Sequence, residues 1–165
     1  RVASLRKVEL IELLVFREAI EGMAARHAAL NATEADLHRL RELLDQHEQD
    51  PTIRSGRGYF QGSGDTDFHL QIAEASRNSR LYAFLSGPLY SILRLYRHRM
   101  SVIPGRPLAA LAEPRAIISA IQSRDPDLAE TAMREHIVNS RQNVVDHMPE
   151  DDEPLPANPL RRHAT

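Results

Sequence analysis

The sequence contains no cysteine and no tryptophan, and it has few other aromatic residues or glycines. Without cysteine the chain can form neither a disulfide nor a thiolate metal site, so any bound metal must use histidine and carboxylate ligands. Four tyrosines, four phenylalanines and seven glycines argue against a β-sandwich, whereas 42% hydrophobic and 27% charged residues lie in the globular range. The composition therefore favours a helical globular protein.

A strong charge bias and a long apolar run are also absent. The formal net charge of −2 gives no basic surface for the phosphate backbone of DNA. No apolar run approaches the roughly 20 residues that span a bilayer, and the N-terminus lacks the pattern of a signal peptide. We expect a cytoplasmic protein that contacts no membrane and does not bind DNA by itself. A length of 165 residues suits one domain.

Apolar residues recur at spacings of three and four along most of the chain, which predicts helices. The predicted helices cover residues 5–30, 34–50, 65–76, 79–100, 108–123 and 125–148. Thr33 is the expected N-cap of the second helix, Asp125 precedes Pro126 at the start of the sixth, and Gly87 with Pro88 predicts a kink in the fourth. We predict an all-α antiparallel bundle over residues 1–148, with a glycine-rich loop at 51–64 and a disordered tail at 149–165.

Two of these helices carry polar side chains on the face that should meet the core. In DTDFHLQIAEASRN (65–78), Asp65 and His69 are spaced one helical turn apart on the apolar face. His136 of the sixth helix lies on a stripe with Met133 and Val144. Burial of these groups without partners is costly. Either they are hydrogen-bonded core residues, with Asp65 as a helix cap, or they bind a metal.

Arg17 is a further charged residue on an apolar stripe, one turn after Leu14 and one turn before Glu21. It can form a buried ion pair with Glu21, or it can receive an anion. An arginine near a metal would suit a small carboxylate, because carboxylate oxygens can bind a cation and a guanidinium together.

Three stretches of the chain point to a known family. They read FREAIEGMAARHAAL (16–30), DTDFHLQIAEASRN (65–78) and AIISAIQSRDPDLAETAMREHI (116–137). In this order and spacing they resemble the FCD domain, the C-terminal effector-binding domain of GntR-type transcription regulators of the FadR subfamily. The resemblance covers about residues 8–147 and implies a bundle of six or seven helices that forms a homodimer and senses a small metabolite. It also implies a winged helix-turn-helix DNA-binding domain that is absent from this sequence.

Many members of this family bind a divalent metal through one aspartate and three histidines. The resemblance matches Asp65, His69 and His136 with three of these ligands, but Pro114 stands where the remaining histidine is expected. The site is therefore incomplete. We favour a metal, Zn²⁺, Ni²⁺ or Mn²⁺, that is held by the three remaining ligands; the alternative is that the metal has been lost.

A third possibility is that another side chain replaces the missing histidine, and Glu113 and His98 are the candidates. Glu113 is predicted to be a poor replacement, because neighbouring residues point about 100° apart around a helix.

The resemblance also implies residues that bind the effector. Arg17 matches an arginine of the family's first helix and is expected to bind an acidic effector. Arg99 matches a less regular basic position, and its alternative is a solvated helix end. Asn139 and Asn143 follow His136 by about one and two turns and are hydrogen-bonding candidates, although exposed polar residues would give the same pattern.

The leading hypothesis is a domain that senses a small carboxylate and changes the arrangement of its helices. One alternative is a metal-dependent hydrolase or isomerase, with Asp65 or Glu113 as the base. The other is a dimerisation module that binds no effector.

Overall fold

The computed structural model describes residues 6–51, 67–87, 90, 92–93 and 109–148, and these residues form helices and no strand. The helices are α1 (Lys7–Asn31), α2 (Glu34–Gln49), α3 (Phe68–Ala75), α4 (Ser79–Ser86), α5 (Ala109–Gln122) and α6 (Pro126–His147). The predicted all-α fold is confirmed. The predictions for Asp65, His98, Arg99, the loop 52–64 and the tail 149–165 lie outside the described residues.

Local signals in the sequence correctly identified two helix starts. At α2, the Thr33 hydroxyl accepts the Asp36 N–H at 3.2 Å, and the Asp36 carboxylate accepts the Thr33 N–H at 2.8 Å. This reciprocal pair is a capping box, formed here with aspartate in place of the usual glutamate. At α6, the Asp125 carboxylate accepts the Leu128 N–H at 3.0 Å, and Pro126 is the first helical residue.

The third and fourth helices are shorter than the sequence predicts. Helix α3 begins at Phe68, and its N-cap is Asp67, whose carboxylate accepts the N–H groups of His69 and Leu70. The predicted start of this helix at residue 65 is wrong, because Asp67 has an extended backbone and is the N-cap in place of the predicted Asp65. Helix α4 ends at Ser86, since Gly87 has an extended backbone, and residues 90, 92 and 93 are again helical, so the helical path is interrupted where the kink was predicted.

The apolar core surrounds α1, which contacts α3, α4, α5 and α6. The contact between α1 and α6 is the most extensive, and alanines on α1 allow the two helices to approach closely. The core side chains with at most 1% exposure include Leu10, Leu14, Phe68, Ile72, Ile117, Ile121, Met133 and Ile137. Each such large apolar side chain contributes about 1.5–3 kcal/mol on burial. Buried polar side chains are therefore exceptions in this apolar interior.

Candidate functional site

Two groups of polar side chains meet inside the bundle. The first, which we name the sealed cluster, consists of Arg17, Glu21 and His69. The second, the rim cluster, consists of Glu113, His136 and Asn139. The two clusters meet through their histidines, whose rings stack with centroids 5.3 Å apart and planes inclined by 27°.

In the sealed cluster, one carboxylate holds two donors. Arg17, Glu21 and His69 are 2%, 1% and 5% exposed. Arg17 donates from Nε to Oε1 of Glu21, and His69 donates from Nδ1 to Oε2. Because a carboxylate only accepts, Nδ1 of His69 carries the proton, and the 3.5 Å approach of Arg17 Nη2 to this nitrogen brings two donors together. The predicted buried ion pair between Arg17 and Glu21 is confirmed.

The electrostatic environment keeps Glu21 ionised. Burial by itself would raise the pKa of this carboxyl group, since it penalises the charged form. The positive charge of Arg17 and the interaction with His69 outweigh that effect and hold the pKa of Glu21 well below its ordinary value. Arg17 is consequently neutralised by a permanent internal anion.

The rim cluster repeats the pairing of an imidazole with a glutamate closer to solvent. Oε2 of Glu113 accepts the Nδ1–H of His136 at 2.7 Å, and Oε1 accepts Nδ2 of Asn139 at 2.7 Å. His136 is buried, but the Glu113 side chain is 27% exposed and Asn139 is exposed. One turn further along α6, Nδ2 of Asn143 is buried and has no acceptor among the described residues. The rim cluster is therefore open to solvent at Glu113 and Asn139, and a buried donor follows it one turn along α6.

Glu113 makes a contact that the sequence did not predict. From the direction in which Glu113 leaves its helix, we expected only a poor replacement for the missing metal-ligating histidine. In the structure both carboxylate oxygens of Glu113 contact side chains of α6. The flexible Glu113 side chain reaches them although it leaves α5 in a different direction from Pro114. Pro114 itself is buried inside α5 and offers no ligand atom.

The described residues fit a divalent cation in part. Each imidazole of the pair donates Nδ1–H to a carboxylate, which is the usual support of a metal-binding histidine and leaves Nε2 to face a cation. Asp65, the third predicted ligand, is not among the described residues, and within the described ranges no three His, Cys, Asp or Glu side chains form a group that could hold a metal ion.

One buried histidine, His47, was not among the predicted site residues. His47 lies in the last turn of α2 and is 8% exposed. Burial lowers its pKa, although the nearby Asp50 and Asp67 oppose this effect. The signal was present in the sequence, because His47 follows Leu40, Leu43 and Leu44 at helical spacing.

Comparison with known proteins gives one family and several regulators. The model of the family described as "FCD domain" matches residues 12–139. The chain is 30% identical over 149 residues to the Uxu operon transcriptional regulator of Escherichia coli (strain K12), which covers 86% of this chain and 56% of that protein. A putative L-lactate dehydrogenase operon regulatory protein of the same organism is 34% identical over 130 residues, or 76% and 48% of the two chains.

A further relative is a probable D-xylose utilization operon transcriptional repressor of Paenarthrobacter nicotinovorans. It is 30% identical over 141 residues, covering 83% of this chain and 58% of the relative. This chain thus spans about half the length of the curated relatives that it matches. Because these relatives are transcriptional regulators and not enzymes, the hydrolase or isomerase alternative is set aside.

A solved structure supports the fold. The chain named E. coli McbR/YncC superimposes with a TM-score of 0.71 at 20% identity, over 88% of this chain and 72% of that one. At this identity the likeness concerns the fold alone. In the part of the chain that the structure describes, no helix combines the length and apolar character needed to cross a membrane.

Proposed function

Because this chain belongs to the FCD domain family of GntR-type transcription regulators, we propose that it binds a small organic acid in the cytoplasm and transmits that binding to DNA. DNA would be contacted by a separate winged helix-turn-helix domain, since the net charge of −2 gives these helices little affinity for phosphates. The observation that carries the proposal is the rim cluster, where the exposed amide of Asn139 on α6 holds the partly exposed carboxylate of Glu113.

The chemistry of the rim favours a hydroxy acid. Asn139 and His136 already hold a carboxylate, that of Glu113, so their spacing suits this group. Asn143 offers an additional donor to a hydroxyl oxygen. The names of two relatives mention L-lactate and D-xylose, which makes an acid and a neutral sugar informative probes. Arg99 remains a proposed secondary contact, whereas the predicted role of Arg17 would require it to separate from Glu21, which the burial of this ion pair disfavours.

Thermal unfolding in the presence of L-lactate, D-gluconate and D-xylose tests this function. A ligand stabilises the state that it binds, by about 2.7 kcal/mol at a concentration of 100 times Kd. We expect the acids to raise Tm, D-xylose to have little effect, and Asn139→Ala to reduce the acid-dependent shift. Gln142→Ala is the matched control, because Gln142 is an exposed amide of α6 that pairs with Asp146. Absence of a shift with either acid would leave a dimerisation module without effector.

We further propose that Asp65, His69 and His136 hold a divalent metal, Zn²⁺, Ni²⁺ or Mn²⁺. The Nδ1 contacts of the two histidines support this assignment, since they orient each imidazole through a carboxylate. A bound cation would supply a positive charge for an acidic effector.

Substitution of Pro114 tests the metal assignment. Pro114→His would add the missing imidazole and is expected to tighten binding of Zn²⁺ or Ni²⁺ in calorimetric titration. Pro114→Ala is the control, because it restores the backbone N–H inside α5 without adding a ligand. Equal affinity in the two variants, or no metal in wild-type protein purified without chelator, would contradict the assignment.

A homodimer is the proposed assembly. Large apolar side chains are exposed on α1 and α4, including Val15 at 52%, Phe16 at 41% and Phe84 at 57%. Phe16 and Phe84 are neighbours, with ring centroids 6.0 Å apart, so they form one patch. Sedimentation equilibrium should report a dimer that Phe84→Glu weakens, whereas Leu30→Glu, at an equally exposed apolar position at the end of α1, should not.

A further inference from the structure

Two side chains predicted to bind an acid are already paired with carboxylates of the chain itself. Arg17 is paired with Glu21, and Asn139 is paired with Glu113. His136, which adjoins Asn139 on α6, contacts the same Glu113. An external acid therefore meets donors that an internal acid occupies.

The charges of the two clusters determine whether an external acid can bind these donors while Glu113 occupies them. Arg17 and Glu21 cancel, so the formal charge of the six side chains without a bound metal is −1 when both imidazoles are neutral, and this charge belongs to Glu113. A carboxylate that approached Asn139 with Glu113 still in place would meet a like charge at contact distance, which is unfavourable. The acid can take these donors only if Glu113 leaves them.

The two internal carboxylates differ in their freedom to leave. Glu21 is 1% exposed and holds two buried donors, one of them a full positive charge. The Glu113 side chain is 27% exposed, and Asn139, one of the residues that bind it, is exposed and neutral. Rotation of the Glu113 side chain would return its charge to water without unfolding any helix.

We propose that Glu113 is an internal competitor of the effector, whose carboxylate occupies the donors of His136 and Asn139 and must be displaced before a small hydroxy acid can bind. This inference rests on the proposed function of the domain. The carboxylate of the acid would replace Glu113, and a hydroxyl would accept the N–H of Asn143, which has no acceptor among the described residues. Displacement would also remove a direct tie between α5 and α6, which couples binding to helix arrangement.

Calorimetric titration of L-lactate and D-gluconate into wild-type protein and Glu113→Gln tests the competition. Glutamine keeps the shape of Glu113 and removes its charge. If Glu113 occupies its donors about nine-tenths of the time, its removal should tighten acid binding about tenfold, because the apparent affinity scales with the fraction of competent protein. Glu135→Gln is the matched control, since Glu135 is exposed and precedes His136 on α6; it should bind like the wild type.

The Glu113→Asp variant distinguishes the effect of the Glu113 hydrogen bonds on acid binding from the effect of its charge. Aspartate keeps the charge but is shorter by one methylene, so it should release the donors and also tighten binding. Unchanged affinity in Glu113→Asp beside tighter binding in Glu113→Gln would mean that the charge acts at a distance, and would overturn the competitor role. Equal or weaker binding in all Glu113 variants would overturn it as well, while the proposed function stands if the wild type binds acid. If none of the proteins binds either acid, both the inference and the proposed function fail.

Discussion

The sealed and rim clusters use the same pair of chemical groups in different surroundings. In each, a glutamate accepts the Nδ1–H of a histidine, and the two histidines stack on one another. In the sealed cluster the second donor is the guanidinium of Arg17, and all three groups are at most 5% exposed. In the rim cluster the second donor is the exposed amide of Asn139. A buried charged pair cannot be opened without leaving an uncompensated charge, whereas a partly exposed pair can exchange with solutes.

Removal of the charge of Glu21 should have the largest effect on stability. Glu21→Gln leaves the guanidinium of Arg17 buried without an anion, and such losses cost about 3–5 kcal/mol. The matched change Glu113→Gln should cost less than about 1 kcal/mol, because its carboxylate is partly exposed. Urea unfolding of both variants measures the difference. Similar costs at the two positions would remove the distinction between the clusters.

A buried carboxylate outside both clusters tests whether burial alone determines how much stability is lost when a carboxylate is neutralised. Asp36 is 2% exposed, caps α2 together with Thr33, and pairs with Arg39 and Arg77. Both arginines are partly exposed, so water can still solvate them when the carboxylate is lost. Asp36→Asn should therefore cost about 1–2 kcal/mol in urea unfolding, as expected for loss of a cap. A cost above that of Glu21→Gln would argue that the sealed cluster is not the main polar support of the fold.

The free energy of unfolding should fall in acid, because the sealed cluster then loses its ionised carboxylate. The pKa of Glu21 is lower in the folded than in the unfolded protein, so its contribution is complete above about pH 4.5 and is lost as the pH falls further. His47 also has a lowered pKa, so protonation of the unfolded chain should begin to reduce stability below about pH 6.5.

Urea unfolding at several pH values measures both steps. Glu21→Gln should flatten the acid step, and His47→Gln should flatten the step near neutrality. An unchanged acid step in Glu21→Gln would show that other carboxylates determine the acid response.

The parts of the molecule that the sequence predicted well depend on local signals. The capping box of Thr33 and Asp36, the start at Asp125 and Pro126, and the one-turn spacing of Arg17 and Glu21 each involve residues within four positions of one another. Contacts of this kind are determined by helix geometry alone.

The features that the sequence predicted wrongly or not at all depend on a choice between similar residues or on tertiary packing. Asp65 and Asp67 are both possible caps of α3, and the structure uses the one adjacent to Phe68. The contact of Glu113 with His136 depends on how α5 crosses α6 and on the reach of a flexible side chain, neither of which is determined by spacing along one helix. The contacts of Glu113 with His136 and Asn139 are therefore seen only in the structure.

The most direct test is an NMR titration of ¹⁵N-labelled protein with L-lactate and D-gluconate, in which the side-chain N–H signals of the two clusters are recorded. It tests the claim that the rim cluster binds the effector while the sealed cluster stabilises the fold. We expect the amide signals of Asn139 and Asn143 to move in proportion to bound acid, while the Nε–H signal of Arg17 stays in place. Movement of the Arg17 signal with unchanged asparagine signals would contradict it.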